Sequence, residues 1–492
     1  MPLPVNFYDL LGIHKGATLE EIRRAYHNAA HKLHPDVNKN PAVSELFLHV
    51  KEAYEVLSNL KSREAYDKKL AAEGEEPVVT NVLFSQPSLA VLDEPQLVYV
   101  ILDFLAEEKF ATKSNPNLNI CLVLDRSTSM QGSRMDTVKS AAIELINQIK
   151  PEDLLSVINF SDRAEILIPA GKHPDRQKVE SQIHMMRAGG GTEIYQGLEA
   201  GFSEISRNSR KSMINHIILL TDGRTYGDEN PCIQLADRAA AQGIRITGIG
   251  IGEEWNDVFL DEIGARTGGN SFYISRVSDL ENFLREKINS LHQSFAERVI
   301  LDLTIEPGVT LNSAFRLQPD SAILTSTLPI RLGNIPKTSI LSILLEFIVQ
   351  PISVDINWLK LASGELRYLL PSEPSTTQKT AININRMTSD SISTEPPPRR
   401  IFQALSQITF YRMQESARHE VVDGKVEEAS LRLQRLAKHL LSSGEPDLAH
   451  TAIMEAERIK KTHKLSAEGE KRIKYGTRSF LLPSAIENGV GS

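Results

Sequence analysis

Cysteine is nearly absent. Cys121 and Cys232 are the two in 492 residues, one inside an apolar run and one directly after a proline, too few for a disulfide scaffold and in keeping with a reducing compartment. An excess of charge of one sign is missing too: 55 basic and 63 acidic residues leave a formal net charge of −8, with no global pull towards nucleic acid or an anionic membrane. Long apolar runs are missing as well. The strongest, residues 340–352, is broken by Ser342, Glu346, Gln350 and Pro351, and the opening residues MPLPVNFYDLLGIHKG lack the basic start and apolar stretch of a signal peptide. The expectation is a soluble, cytoplasmic chain with no membrane span and no nucleic-acid partner.

Several catalytic signatures are also absent. There is no Gly-x-x-x-x-Gly-Lys-Ser/Thr phosphate loop and no Gly-x-Ser-x-Gly elbow. Gly248, Gly250 and Gly252 follow a strand-like run, but their spacing and Glu253 miss the dinucleotide fingerprint, so they read as close packing within a strand. The basic stretch Lys460, Lys461, Lys464, Lys471, Arg472 and Lys474 is interrupted by glutamates and has little aromatic interleaving beyond Tyr475; it reads as a solvated helix face.

What is present is a chain with 41% hydrophobic residues, enough for several cores at roughly 150 residues per domain. Residues 1–70 read as helical: Thr18 with Glu21 makes a capping box, and Leu19, Ile22, Tyr26, Ala29, Ala30 and Leu33 recur at helical spacing. Val43, Leu46, Phe47, Val50, Ala53, Tyr54 and Leu57 repeat on a second helix, and His34-Pro35-Asp36 lies between the two. An acidic linker, 71–77, precedes strand-like segments within 78–118. From 119 to 294 the runs ICLVLD, LLSVINF, HIILLTDG and RITGIGIG alternate with helical segments, the pattern of a doubly wound α/β sheet buried on both faces. Residues 295–372 return to strands without helices, an antiparallel β-sandwich that the strands of 78–118 would complete, making the α/β domain an insertion. A Ser/Thr/Pro-rich segment, 373–398, reads as a disordered linker, and 399–482 as a helical region whose Leu431, Leu433, Leu436 and Leu440 pair with 447–461 in a helical hairpin.

One constellation carries chemistry. The run ICLVLD ends at Asp125, and the following loop gives Asp-x-Ser-x-Ser with Ser127 and Ser129; Gly189-Gly190-Gly191 leads to Thr192, and HIILLTD ends at Asp222. These loops fall at the carboxyl ends of parallel strands, where open α/β sheets bind ligands. Hydroxyls and carboxylates are hard oxygen donors suited to Mg2+ or Mn2+, with no imidazole or thiolate to select zinc or copper. An ion held mainly by neutral hydroxyls stays electrophilic and can accept an outside carboxylate, and the glycines would let the backbone approach it closely.

These residues resemble the von Willebrand factor A domain, whose metal-ion-dependent adhesion site is built of Asp-x-Ser-x-Ser, a Thr and an Asp. The resemblance implies direct metal contact by Ser127, Ser129 and Thr192, with Asp125 and Asp222 acting largely through water, and a protein ligand that supplies an Asp or Glu carboxylate. His34-Pro35-Asp36, with YDLLG before and REAYD after, resembles the J-domain of DnaJ-type co-chaperones. That implies contact with a DnaK-type chaperone and stimulation of its ATPase, assisted by Arg23, Arg24 and Lys32 against an acidic face. His27 and Asn28 stand where the family is usually basic, which implies a weaker or more pH-sensitive contact. His27, His31 and His34 lack a fourth ligand for zinc. The combined expectation is a non-enzymatic adaptor; the alternative is an accessory subunit of an AAA-type ATPase. Hydrolysis would need a base near the ion, and Glu193 is the one candidate.

Overall fold

Thr18 opens the second helix by a reciprocal cap: its backbone N–H donates to the Glu21 carboxylate at 2.7 Å, and the Glu21 N–H returns a bond to the Thr18 hydroxyl at 3.3 Å. The computed structural model describes residues 7–13, 16–33, 41–72, 76–111, 115–171, 175–223, 227–274, 277–353 and 356–479, in two units that part at Pro77 and Val78. The first contains α1 (Phe7–Leu11), α2 (Leu19–Leu33), α3 (Pro41–Leu57) and α4 (Leu60–Ala72). Ile22 and Ala29 of α2 share one core with Val50, Ala53 and Leu57 of α3, and Tyr26 stacks on Tyr54 at 4.1 Å. α1 is held to α4 by the stack of Phe7 on Tyr66 at 4.5 Å and by the Tyr8 hydroxyl donating to Asp67 at 2.7 Å.

The second unit opens with β1 (Val78–Phe84), β2 (Leu89–Ala90), β3 (Gln96–Ala106) and a short α5 (Glu108–Ala111). The α/β domain follows in the order β4 (Asn117–Asp125), α6 (Ser133–Gln148), β5 (Leu154–Phe160), β6 (Ala164–Gly171), α7 (Arg176–Met185), α8 (Ile194–Asn208), β7 (Met213–Thr221), α9 (Glu229–Ala241), β8 (Ile244–Ile251), α10 (Asp257–Thr267), β9 (Asn270–Ile274) and α11 (Val277–His292). Its sheet runs β6-β5-β4-β7-β8-β9, parallel except for β6. Alternate residues of β4 face opposite layers: Ile120, Leu122 and Leu124 pack with α6, α7 and α11, while Cys121 and Val123 pack with α8, α9 and α10. Burial on both faces is why these strands are apolar almost without a break.

The sandwich is completed by β10 (Ser294–Ile305), β11 (Val309–Gln318), β12 (Ala322–Leu324), β13 (Ile330–Pro336), β14 (Leu341–Val349), β15 (Trp358–Leu369) and β16 (Thr377–Ser389). Its sheets run β1-β3-β14-β11-β12 and β13-β10-β15-β16-β2. β3 pairs antiparallel with β14, from Leu341↔Phe104 to Val349↔Gln96, so strands before and after the α/β domain lie side by side and that domain is inserted between them.

Two sequence expectations are corrected here. Residues 373–398 are not a disordered linker throughout: β16 occupies half of them and pairs with β15 along its length, burying Thr380, Ile382 and Ile384. Alternation of apolar and polar residues, period two, outweighs the Ser/Thr-rich composition. The C-terminal region is more than a hairpin. It comprises α12 (Arg399–Val422), α13 (Val426–Ser442), α14 (Pro446–Thr462) and α15 (Ala467–Ser479) around one core. Gly424 and Gly444, at φ +76° and +85°, end α12 and α13 in the left-handed conformation. α12 lays Ile401, Ala404 and Ile408 on the sandwich, where Arg412 pairs with Glu346 at 2.8 Å. α15 packs on α10, and there the expected solvated lysine face fails: Lys471 and Lys474 are buried, and the Lys474 ammonium lies 2.9 Å from Asp261 and against Asp257.

Candidate metal centre

β4 and β7 are neighbours whose chain connections leave in opposite directions, β4 towards β5 and β7 towards β8. The crevice at their carboxyl ends is the switch point at which doubly wound sheets bind ligands. Asp125 is the last residue of β4 and Asp222 follows the last residue of β7.

Asp125 is buried, and both carboxylate oxygens are taken: Oδ1 accepts the Ser127 N–H at 2.8 Å and Oδ2 accepts the Thr221 hydroxyl at 2.6 Å. Burial lifts its carboxyl above the usual range, against the pull of the Thr221 and Ser127 hydrogen bonds. The Ser127 and Ser129 hydroxyls lie 3.0 Å apart, and Ser129 donates to Asp222 Oδ1 at 2.7 Å. Thr192 arrives from the third loop. A Cβ on Gly223 would fall 2.9 Å from its hydroxyl, so glycine there admits the Thr192 side chain beside Asp222. Asp125, Ser127, Ser129, Thr192 and Asp222 are thus gathered in one place by three loops. Five oxygen-bearing side chains, two of them carboxylates, form a hard donor set that fits Mg2+ or Mn2+.

Three residues escaped the sequence reading. Thr221, the last residue of β7, orients Asp125. Asp162 accepts the Gly191 N–H at 2.8 Å, and a Cβ on Gly190, at φ +90°, would collide with its carboxylate. Gly190 and Gly191 therefore make room for Asp162, while Gly190 also accepts the Thr128 N–H at 3.1 Å, tying the third loop to the first. Arg134, in the first turn of α6, reaches Asp222 Oδ2 with Nη1 at 2.6 Å; the Asp222 side chain is fully buried and that of Arg134 is 39% exposed. No motif announces Arg134. Only its place nine residues after Asp125, at the start of α6, could have drawn notice.

Glu193 stands at the N-cap position of α8 without a side-chain cap bond, is exposed, and donates its backbone N–H to the Ser161 carbonyl at 2.9 Å. In the first unit Arg23 and Arg24 are exposed on α2, and the same helix carries His27 and Asn28. Lys32 belongs to that helix too, while His34, Pro35 and Asp36 lie outside the described residues. Among the described residues no cluster of three or more His, Cys, Asp or Glu side chains is placed to hold a metal, and no helix is long and apolar enough to cross a membrane.

Comparison with known proteins finds three family matches along the chain. Residues 6–67 match the DnaJ domain, 119–286 the von Willebrand factor type A domain, and 399–483 the C-terminal α-helical domain of Sll0103-like proteins. The uncharacterized protein sll0103 of Synechocystis is 27% identical over 386 residues, 74% of this chain and 89% of that protein. Chaperone protein DnaJ of Geobacillus stearothermophilus is 51% identical over 63 residues, which span 13% of this chain and 17% of DnaJ. The von Willebrand factor type A structure from Catenulispora acidiphila superposes with a TM-score of 0.66 over 82% of this chain and 97% of its own, at 16% identity, a likeness of fold. The chain carries an N-terminal DnaJ domain and a von Willebrand factor type A domain, the second a protein-interaction module and the first the module of DnaK-type co-chaperones.

Proposed function

We propose that this chain is a non-enzymatic adaptor that takes a protein partner through a divalent cation and presents it to a DnaK-type chaperone. Ser127, Ser129, Thr192, Asp125 and Asp222 would hold Mg2+ or Mn2+. The bound ion would supply a coordination position open to an Asp or Glu carboxylate of the partner. The carrying observation is the meeting of three hydroxyls and two carboxylates at the β4/β7 switch point. The residues around the ion have positioning roles: Thr221 and the Ser127 N–H fix the Asp125 carboxylate, and Gly223 admits Thr192. Three of the five donors are neutral hydroxyls, so the ion would keep an affinity for an outside carboxylate, which suits binding rather than turnover.

The chaperone arm rests on the DnaJ match over residues 6–67 and on the exposed Arg23 and Arg24 of α2. His34, Pro35 and Asp36 would contact the chaperone and, with Lys32, stimulate its ATPase. Asp125→Ala should abolish magnesium-dependent capture of the partner in a chelator-controlled pull-down and leave stimulation of a DnaK ATPase intact. His34→Gln should do the reverse. Loss of both activities in either variant would refute the modular arrangement.

A further inference from the structure

Arg134 is the one cation that touches a carboxylate of the metal centre among the described residues. Its Nη1 bonds Asp222 Oδ2 at 2.6 Å and also donates to the Ser129 carbonyl at 3.3 Å. The guanidinium rests on Gly252: a Cβ there would lie 3.1 Å from Nη2, 3.3 Å from Cζ and 3.5 Å from Nε, and Gly252 adopts φ +75°. Glycine therefore leaves the slot in which the guanidinium lies. That slot is fixed from behind, since the Trp255 indole donates to the Gly252 carbonyl at 3.1 Å and Lys471 of α15 donates to the Trp255 carbonyl at 2.6 Å. Arg134 is thus seated by the fold, and its charge falls on the carboxylate that an arriving ion needs.

Asp125 and Asp222 contribute two negative charges when ionised, and the guanidinium already offsets one of them. A divalent ion at this site must separate Arg134 from Asp222 or share the carboxylate with it, and a lone guanidinium beside a divalent ion is repelled unless another anion joins them. Arginine is suited to that exchange, because it stays charged and its planar fork matches a carboxylate.

We propose that Arg134 restrains divalent-cation binding at this centre and links it to the partner: its tethered guanidinium occupies Asp222 until a divalent ion displaces it, and the freed fork then takes part of the partner's acidic surface. This rests on the metal-dependent reading above, and it adds a residue outside the five-donor motif, with a competing role. It also assigns the partner an acidic patch beyond the single carboxylate given to the ion.

The test is calorimetric titration of Mn2+ into the full chain at fixed ionic strength, for wild type, Arg134→Gln and Arg134→Lys, with thermal melting as a check that each variant is folded. Removing the competitor should tighten Mn2+ about tenfold in Arg134→Gln, the scale of a charge-assisted bond discounted for an arginine more than a third exposed. Arg134→Lys should fall between. In wild type the Mn2+ affinity should rise on adding an excess of glutarate, a dicarboxylate probe, by a larger factor than in Arg134→Gln. Equal Mn2+ affinity in wild type and Arg134→Gln overturns the proposal while leaving the metal reading in place. An equal glutarate effect in the two overturns the partner half of it. If neither protein takes Mn2+, the metal reading fails and the proposal with it.

Discussion

Lys474→Met should loosen the C-terminal helices from the α/β domain. The side chain is 2% exposed, and its ammonium faces Asp261 at 2.9 Å as well as Asp257. Burial disfavours its charge, but Asp261 and Asp257 outweigh that and keep it protonated. Breaking an isolated buried pair costs about 3–5 kcal/mol because a charge is left unpaired. Here each carboxylate retains an arginine, Arg418 on Asp257 at 2.9 Å and Arg478 on Asp261 at 2.6 Å. Methionine also fills most of the lysine's volume. The expected loss is therefore smaller, about 2–3 kcal/mol, read from the urea midpoint together with earlier proteolytic release of the C-terminal helices. In combination with Asp261→Asn the losses should fall short of additivity by about 1 kcal/mol, since the two groups share one network. A loss below about 0.5 kcal/mol, the scale of an ordinary surface change, or strict additivity would refute the idea that this network holds the domains together.

Two further outcomes are expected of the same geometry. Burial works against ionised Asp257 and Asp261, yet Lys474 with Arg418, and Arg478 with Lys474, bring both carboxyls below their usual range. Carboxyls depressed in the folded state contribute stability that is present above their unfolded value, about pH 4, and is lost as pH falls through their folded values; the stability difference between wild type and Asp261→Asn should therefore hold steady from pH 7 to about pH 5 and shrink in stronger acid, and a difference that grows on acidification would contradict this. Thr221→Val keeps the shape but leaves Asp125 Oδ2 without its 2.6 Å donor in a buried site, which should cost about 1–3 kcal/mol in thermal or urea unfolding; an unchanged midpoint would show that Thr221 does not hold Asp125.

The α/β domain and the ligand loops were legible in the sequence because parallel strands buried on both faces read as unbroken apolar runs, and each run ends at the residue that matters, Asp125 or Asp222. The insertion of that domain into a sandwich was legible for a related reason: strands without intervening helices stand on both sides of it. β16 was hidden because Ile382 and Ile384 alternate with Asn383 and Asn385 inside a Ser/Thr-rich stretch, so composition and period pointed different ways. α15 was hidden because its lysines look like a solvated face until Asp257 and Asp261, more than 200 residues earlier in the chain, are placed opposite them. Arg134 and Asp162 were invisible for the same reason: their meaning lies in what the fold sets beside them, Asp222 for one and Gly190 with Gly191 for the other.

The most direct test of a metal-dependent binding site is calorimetric titration of Mn2+ into the full chain and into its Asp125→Ala variant. The gathered oxygens should take up one ion per wild-type chain, with binding lost in Asp125→Ala. No uptake by the wild type, or equal uptake by a folded Asp125→Ala, would contradict the assignment of such a site to these loops.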